Sequence, residues 1–215
     1  MATGHDEGVP WDAGLGFAGG ILWATYPTAL ASLFRGAAPG QPPYAPDTVV
    51  YAQLLAVPLA LVLVGIPAVR GLPGADGPWG RRGVGLVALG ASLVALGVLA
   101  VTIVGIPGRV EGPVAAVAPA GLLVLQFGGT FLGYGLWSHA GGSGGWTDPP
   151  DGEVTKLRRV AGGLLLLALP GTLLGILGTR LLYSAVPFYA GVAVPVGLGW
   201  AGACYAVLAE SYGED

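Results

Sequence analysis

Apolar residues along this chain are gathered into long runs, and short polar stretches separate them. Each run is long enough to cross a hydrocarbon core of roughly 30 Å as a helix of about 20 residues. Charged residues such as Arg35, Asp47 and Arg70 lie between the runs rather than inside them. The pattern predicts six transmembrane helices, at 14–34, 48–69, 83–106, 113–137, 160–179 and 184–208. The boundary between the last two is the least well defined, since only Arg180 and a few neighbours separate them.

The amino-acid composition also indicates a membrane environment. Hydrophobic residues make up 53% of the 215 residues, charged residues make up 10%, and the mean hydropathy is +0.71. A chain of this kind has too little polar surface to cover a water-soluble globule. We therefore expect an all-α integral membrane protein with one transmembrane domain over 1–215. It would be a bundle of about six helices with short acidic termini and a flexible loop at 138–159.

The first apolar run has one feature of a signal peptide. Ala29-Leu30-Ala31 resembles a small-residue cleavage site, but no Lys or Arg precedes the run and the run is longer than a signal peptide requires. We expect it to be retained as the first span.

Basic residues in the short loops predict the orientation. If the amino terminus is cytoplasmic, the inner loops hold Arg70, Arg81, Arg82, Lys156, Arg158 and Arg159, and the outer loops hold Arg35, Arg109 and Arg180. Short cytoplasmic loops carry the excess of Lys and Arg. We therefore expect both termini in the cytoplasm.

The overall charge bears on the choice of partners. The chain has a net charge of -3, and both tails are acidic. This balance disfavours nucleic acid or anionic lipid as a partner. The expected partner is the lipid bilayer, with a membrane-protein partner or a homo-oligomer as a further possibility.

The predicted spans lack ionisable residues in their interiors. Pumps, ion-coupled carriers and voltage sensors usually keep such a group at membrane depth. Haem and zinc sites need converging His, Cys or Met ligands, whereas His5 and His139 lie outside the spans and Cys204 stands alone. Ser143 lies in a glycine-rich loop rather than in a helix facing a histidine, so it is not expected to be a nucleophile. We expect no catalytic residue, no cofactor and no metal.

Glycines recur every seven residues in two of the predicted spans. Seven residues make nearly two helical turns, so each set forms one smooth stripe along its helix. Small stripes let helix backbones approach closely within lipid. The predicted packing residues are Gly83, Gly90 and Gly97 in the third span, and Gly121, Gly128 and Gly135 in the fourth.

The fourth span has a second small and polar face. Gln126, Gly129, Thr130 and Gly133 fall together at about 100° per residue, opposite the glycine stripe. Small residues on two sides place this helix near the centre of the bundle. Gln126 would make an interhelical hydrogen bond or, with Thr130, line a small polar cavity.

Gly133-Tyr134-Gly135 has the letters of a potassium-channel filter, which is an extended loop lined by backbone carbonyls. The spacing from Thr130 is one residue too long, and Leu136 stands where filters usually carry Asp. We expect a helix instead, with Gly133 and Gly135 on opposite faces.

These features favour a non-enzymatic protein, a structural or accessory subunit that packs through its glycine-rich helix faces. The alternative is a passive channel or facilitator for a small uncharged or apolar solute along the Gln126 face. A membrane enzyme ranks third, because no catalytic constellation is visible.

Overall fold

The computed structural model describes residues 10–33, 54–103, 113–140 and 152–212. These residues are helical apart from short connections, and none of them lies in a strand, which confirms the predicted all-α class for this part of the chain. The helices are α1 (Trp11–Leu33), α2 (Ala56–Val64), α3 (Ile66–Arg70), α4 (Pro78–Ile103), α5 (Pro113–Ala140), α6 (Glu153–Leu166), α7 (Ala168–Leu182) and α8 (Val186–Tyr212).

Three of these helices are long and apolar enough to cross a membrane: α4, α5 and α8. A fourth span is possible if α6 and α7, which meet at a bend of 44°, are counted as one. Helix α1 has 23 residues but is not among them, since Trp, Tyr, Thr and Pro residues interrupt its apolar sequence. The described residues thus form helices of which three, or up to four, could cross a membrane, and the other predicted spans do not meet this measure.

Two predicted spans are broken rather than continuous. The span predicted at 48–69 appears as α2 and α3, which meet at Gly65, and its residues 48–53 lie outside the described part. The span predicted at 160–179 appears as α6 and α7, which meet at Leu167. Proline has no N–H, so Pro67 cannot bond to the carbonyl of Leu63, and Pro170 cannot bond to that of Leu166. Each break therefore lies where a proline removes a helical hydrogen bond.

The predicted flexible loop at 138–159 was too long at both ends. Residues 138–140 complete α5 and residues 153–159 begin α6, while 141–151 lie outside the described residues. Helix α4 likewise begins at Pro78, before the predicted start at 83, and so includes Arg81 and Arg82. Arginine has good helix propensity, so a charged first turn can continue an apolar helix into the headgroup region.

The helices pack so that their contacts close into a ring. Helix α1 packs on α2 and α8, α4 packs on α2 and α5, and α6 packs on α5 and α8; α7 lies mainly against α8. Large apolar side chains fill the space between them, and Trp200 is the largest that is fully buried. Direct contact between α5 and α8 is limited.

Most described charged residues lie at one end of this ring. Helix pairs run antiparallel: Gly83 near the start of α4 lies beside Leu132 of α5, and Gly162 of α6 lies beside Trp137. Arg158 near the start of α6 forms an ion pair with Glu210 near the end of α8, with an N···O distance of 3.7 Å. We call this the basic end; its basic residues are Arg70, Arg81, Arg82, Lys156, Arg158 and Arg159.

Candidate functional site

The glycine stripes of α4 and α5 face each other. A Cβ atom added to Gly90 would lie 2.7 Å from the Cα of Leu125, and one added to Gly97 would lie 2.7 Å from the backbone N of Ala118. From the other side, a Cβ on Gly121 would lie 2.7 Å from the backbone N of Val94. Real Cβ atoms do not approach this closely, so the two backbones are nearer than any other residue type would allow. Gly83 and Gly128 belong to the same seam.

Gly135, the last member of the α5 stripe, contacts the loop that precedes α4 as well as the first turn of α4. The loop comprises residues 71–77, which connect α3 to α4. An added Cβ on Gly135 would lie 2.7 Å from the carbonyl O of Gly74 and 3.0 Å from the Cα of Gly80. Gly74 has a φ of 95°, a conformation that glycine adopts without steric cost. The loop is therefore seated directly on the end of α5.

The second small face of α5 meets the other half of the ring. A Cβ on Gly133 would lie 2.6 Å from the carbonyl O of Gly162 in α6, and one on Gly129 would lie 3.3 Å from the Cβ of Ala168 in α7. The hydroxyl of Thr130 donates to the carbonyl O of Gln126 in its own helix at 3.0 Å. Helix α5 is thus held between α4 on one side and α6, α7 and α8 on the other, and the Gly133–Gly135 triplet is helical within it.

Gln126 is buried halfway along α5, with 1% of its surface exposed. Its Nε2 donates to the backbone carbonyl of Val192 in α8 at 3.0 Å. Its Oε1 has no hydrogen-bond partner among the described residues. The side chain therefore links two helices that otherwise touch little, and it leaves one acceptor unused.

Two buried tryptophans add polar atoms that sequence reasoning missed. The indole Nε1 atoms of Trp23 in α1 and Trp200 in α8 are buried and lack an acceptor within the described part of the chain. A Cβ added to Gly65 would lie 3.3 Å from the Nε1 of Trp200, so the indole reaches the break between α2 and α3. Their positions in the middle of apolar runs were the available signal, because interfacial tryptophans lie at span ends.

Aromatic and arginine side chains surround the basic end. The ring of Trp79 makes edge contacts with Phe131 and Tyr134, at centroid distances of 5.4 and 6.0 Å. The guanidinium of Arg82 lies 5.6 Å from the centre of the same ring, and that of Arg159 lies 5.0 Å from the ring of Trp137. These are cation–π distances, and the arrangement is typical of side chains at the headgroup level.

Two depressions flank the 71–77 loop at this end. One, of about 240 Å³, is lined by Gly74, Asp76, Gly77, Pro78, Trp79, Gly80, Gly135, Ser138 and His139. The other, of about 330 Å³, is lined by Arg70, Ala75, Asp76 and Arg81. Asp76 lines both, and we call the second the arginine pocket.

The first depression holds the residue types of a catalytic triad without its geometry. The Ser138 hydroxyl donates to the carbonyl O of Gly135 at 3.1 Å, and an Asp76 carboxylate oxygen accepts from the N–H of Gly74 at 3.1 Å. Ser138 and His139 are consecutive in a helix, so their side chains do not face each other. The Ser138 hydroxyl and the Asp76 carboxylate each bond to backbone of their own turn, and no hydrogen bond joins Ser138, His139 and Asp76 in the described residues.

The histidine, cysteine and serine residues considered as candidates from the sequence lie on different helices or outside the described residues. His139 lies at the exposed end of α5, and Cys204 is buried in α8 as a free thiol. His5 and Ser143 lie outside the described residues. No group of three or more His, Cys, Asp or Glu residues that could hold a metal ion occurs within the described ranges. No protein-family model, no curated protein and no solved structure matches this chain.

Proposed function

We propose that this chain is a six-span membrane protein with a structural or accessory role rather than a catalytic one. Helices α4, α5 and α8 would each supply one span. Helix α1, the broken pair α2–α3 and the bent pair α6–α7 would supply the other three. Their place in the same antiparallel ring as the long helices supports this count.

The glycine contacts support a bundle that is held by close backbone approach. In lipid, helix association depends on van der Waals packing and interhelical hydrogen bonds, because lipid removes the hydrophobic reward for contact. The seam between α4 and α5 and the contact between Gly133 and Gly162 are of this kind. Both glycine faces of α5 are used inside the chain, so they would stabilise the bundle itself and not an external contact.

The observation that carries the proposal is the hydrogen bond from Gln126 to Val192. Gln126 is the only amide side chain that the sequence places close to the middle of a predicted span. A residue that lined an open path would direct its amide toward solute. This amide instead donates to a neighbouring helix, which is the role of polar residues that tether transmembrane helices.

A facilitator for a small uncharged solute is the second candidate. The atoms that favour it are the Oε1 of Gln126 and the indole nitrogens of Trp23 and Trp200, which are buried without a hydrogen-bond partner among the described residues. Burying a polar atom without a hydrogen bond costs about 1–3 kcal/mol. Water or a polar solute inside the bundle would offset that cost.

Replacing Gln126 with Leu distinguishes the two functions. If the residue is a tether, Gln126→Leu should lower the free energy of unfolding by about 0.6–2 kcal/mol, the usual range for such a bond. Water and glycerol flux into proteoliposomes should equal that of protein-free vesicles for both wild type and variant. Thermal unfolding in detergent and stopped-flow light scattering measure the two quantities.

Thr130→Val is the matched control, since the Thr130 hydroxyl donates to a carbonyl of its own helix, α5, and not to a neighbouring helix among the described residues. It should leave both stability and flux near wild type. The facilitator would replace the structural role if wild type gave flux above the vesicle background and Gln126→Leu altered that flux without loss of stability.

The accessory part of the proposal predicts that wild type purified gently from native membranes carries a second membrane protein or a further copy of itself. A chain that always purifies alone would remove that part.

A further inference from the structure

The arginine pocket combines cationic side chains, an open volume and a rigid floor. Arg70 at the end of α3 and Arg81 in the first turns of α4 both line it. Both are exposed, and neither forms an ion pair with any described residue. We infer that this pocket binds a phosphate group, supplied by an anionic phospholipid headgroup or by a soluble phosphate.

The floor of the pocket is fixed by the packing of the 71–77 loop. Leu72 and Ala75 are each 1% exposed, which is unusual for loop residues at a membrane surface. The backbone N–H of Ala75 donates to the carbonyl of Leu72 at 3.0 Å, and that of Leu72 donates to Val69 at 3.1 Å. The two arginines therefore project from a preorganised frame, which lowers the entropy cost of binding.

Arg81 is oriented by a backbone contact. Its Nε donates to the carbonyl O of Asp76 across the turn that begins α4. This contact uses one of the five N–H groups of the guanidinium and leaves the terminal ones available. The planar fork of arginine matches the oxygens of phosphate and favours paired hydrogen bonds.

The charge of the pocket suits a phosphate. Arg70 and Arg81 contribute two positive charges and Asp76 one negative charge, and one oxygen of that carboxylate already accepts from Gly74. The local balance is positive although the whole chain carries a net charge of -3. Net charge disfavours an anionic lipid when it is averaged over the chain, whereas this proposal depends on the local charge, because the basic residues gather at one end.

The level of the pocket relative to the bilayer bears on the two possible sources of the phosphate. Trp79, two residues before Arg81, makes ring contacts with Phe131 and Tyr134 of α5. Tryptophan and tyrosine settle at the headgroup level of a bilayer. A pocket at this level is open to lipid headgroups from the side and to soluble phosphates from the aqueous face.

The test uses the full chain in nanodiscs of phosphatidylcholine with or without phosphatidylglycerol. Phosphatidylglycerol bound after release into detergent is counted by native mass spectrometry, and inorganic phosphate is titrated separately by its effect on thermal unfolding. Arg70→Gln and the double variant Arg70→Gln, Arg81→Gln should lower the affinity for whichever probe wild type binds, phosphatidylglycerol or inorganic phosphate, by about tenfold or more. Each charge-assisted hydrogen bond contributes on this scale. Arg70→Gln leaves the Arg81 contact with Asp76 intact, so its loss of binding cannot be attributed to the turn.

Arg82→Gln is the matched control, because Arg82 has the same charge and is the next residue, but lies over Trp79 and outside the pocket lining. It should bind both probes as wild type does. Retention of phosphatidylglycerol without a response to inorganic phosphate identifies a headgroup site, and a response to inorganic phosphate identifies a soluble ligand. Equal losses in Arg70→Gln and Arg82→Gln would mean a diffuse field rather than a pocket, and binding of neither probe by wild type would overturn the site. These outcomes are independent of the Gln126 experiment, since the pocket lies outside the helix contacts that support the structural role.

Discussion

At the scale of single residues, the glycines of this chain differ sharply in what surrounds them. Gly90 on α4 faces the backbone of α5, where an added Cβ would lie 2.7 Å from the Cα of Leu125 and 2.8 Å from the carbonyl O of Gly121. Gly85, on the same helix, has open space around an added Cβ. Substituting these two glycines of the same helix should therefore have opposite effects on stability.

Gly90→Ala should destabilise the bundle by about 1–3 kcal/mol, because the added methyl group meets backbone atoms that cannot rotate away. Gly85→Ala should be neutral or stabilising by up to about 1 kcal/mol, since alanine has the higher helix propensity. Thermal unfolding in detergent, followed by circular dichroism, measures both. Equal melting of the two variants would show that the α4–α5 seam is not close-packed.

At the scale of elements, prolines decide which helices are continuous. Pro170 follows the junction of α6 and α7, where the N–H of Leu167 is shared between the carbonyls of Gly163 and Leu164. Pro195 lies inside α8, which nonetheless remains one helix of 27 residues. A proline therefore accompanies each of these breaks but does not by itself break a helix, and neighbouring packing decides the outcome.

Pro170→Ala should restore the missing hydrogen bond and reduce the 44° bend between α6 and α7. Spin labels at positions 153 and 182, in a Cys204→Ala background, should move apart by about 3 Å, as estimated from the helical rise. Pulsed electron paramagnetic resonance measures this distance. Pro119→Ala, at an exposed position inside α5, is the control and should leave the distance unchanged. An unaltered distance in Pro170→Ala would assign the bend to packing against α8 and α5.

At the scale of the whole molecule, the ring of antiparallel helices gives the protein two unlike ends. The basic end carries six basic residues, whereas Arg180 is the basic residue of the opposite end within the described ranges. Outward-facing leucines of α7 are more than half exposed, as expected for a surface that lipid covers: Leu173, Leu174, Leu177 and Leu181. The charge difference predicts that the basic end faces the cytoplasm.

Single cysteines in a Cys204→Ala background test this orientation. Leu182→Cys, at the end opposite to the basic end, should react with a membrane-impermeant maleimide in intact cells. Ser138→Cys, at the basic end, should react only after lysis. The reverse pattern would place both termini outside, and equal labelling at both positions in intact cells would contradict a single orientation.

The sequence predicted the class of this fold and part of its candidate site. The apolar runs located α1, α4, α5 and α8 within a few residues, because length and hydropathy are local properties. The breaks in the second and fifth predicted spans were not anticipated, since whether a proline interrupts a helix depends on contacts with its neighbours. Gln126 stood out as the mid-span amide, but nothing in the letters named Val192 as its acceptor.

What the sequence determined by itself was a helical chain with segments long and apolar enough to cross a membrane. A chain with long uncharged apolar runs and few charges satisfies its backbone polar groups as helices in lipid, whatever their order. Only the tertiary structure decided which faces meet: the glycine stripes of α4 and α5 against each other, the 71–77 loop on the end of α5, and Arg70 beside Arg81. Those pairings join residues far apart in sequence or across a folded turn, and they depend on the shapes of both partners, which no single stretch of sequence contains.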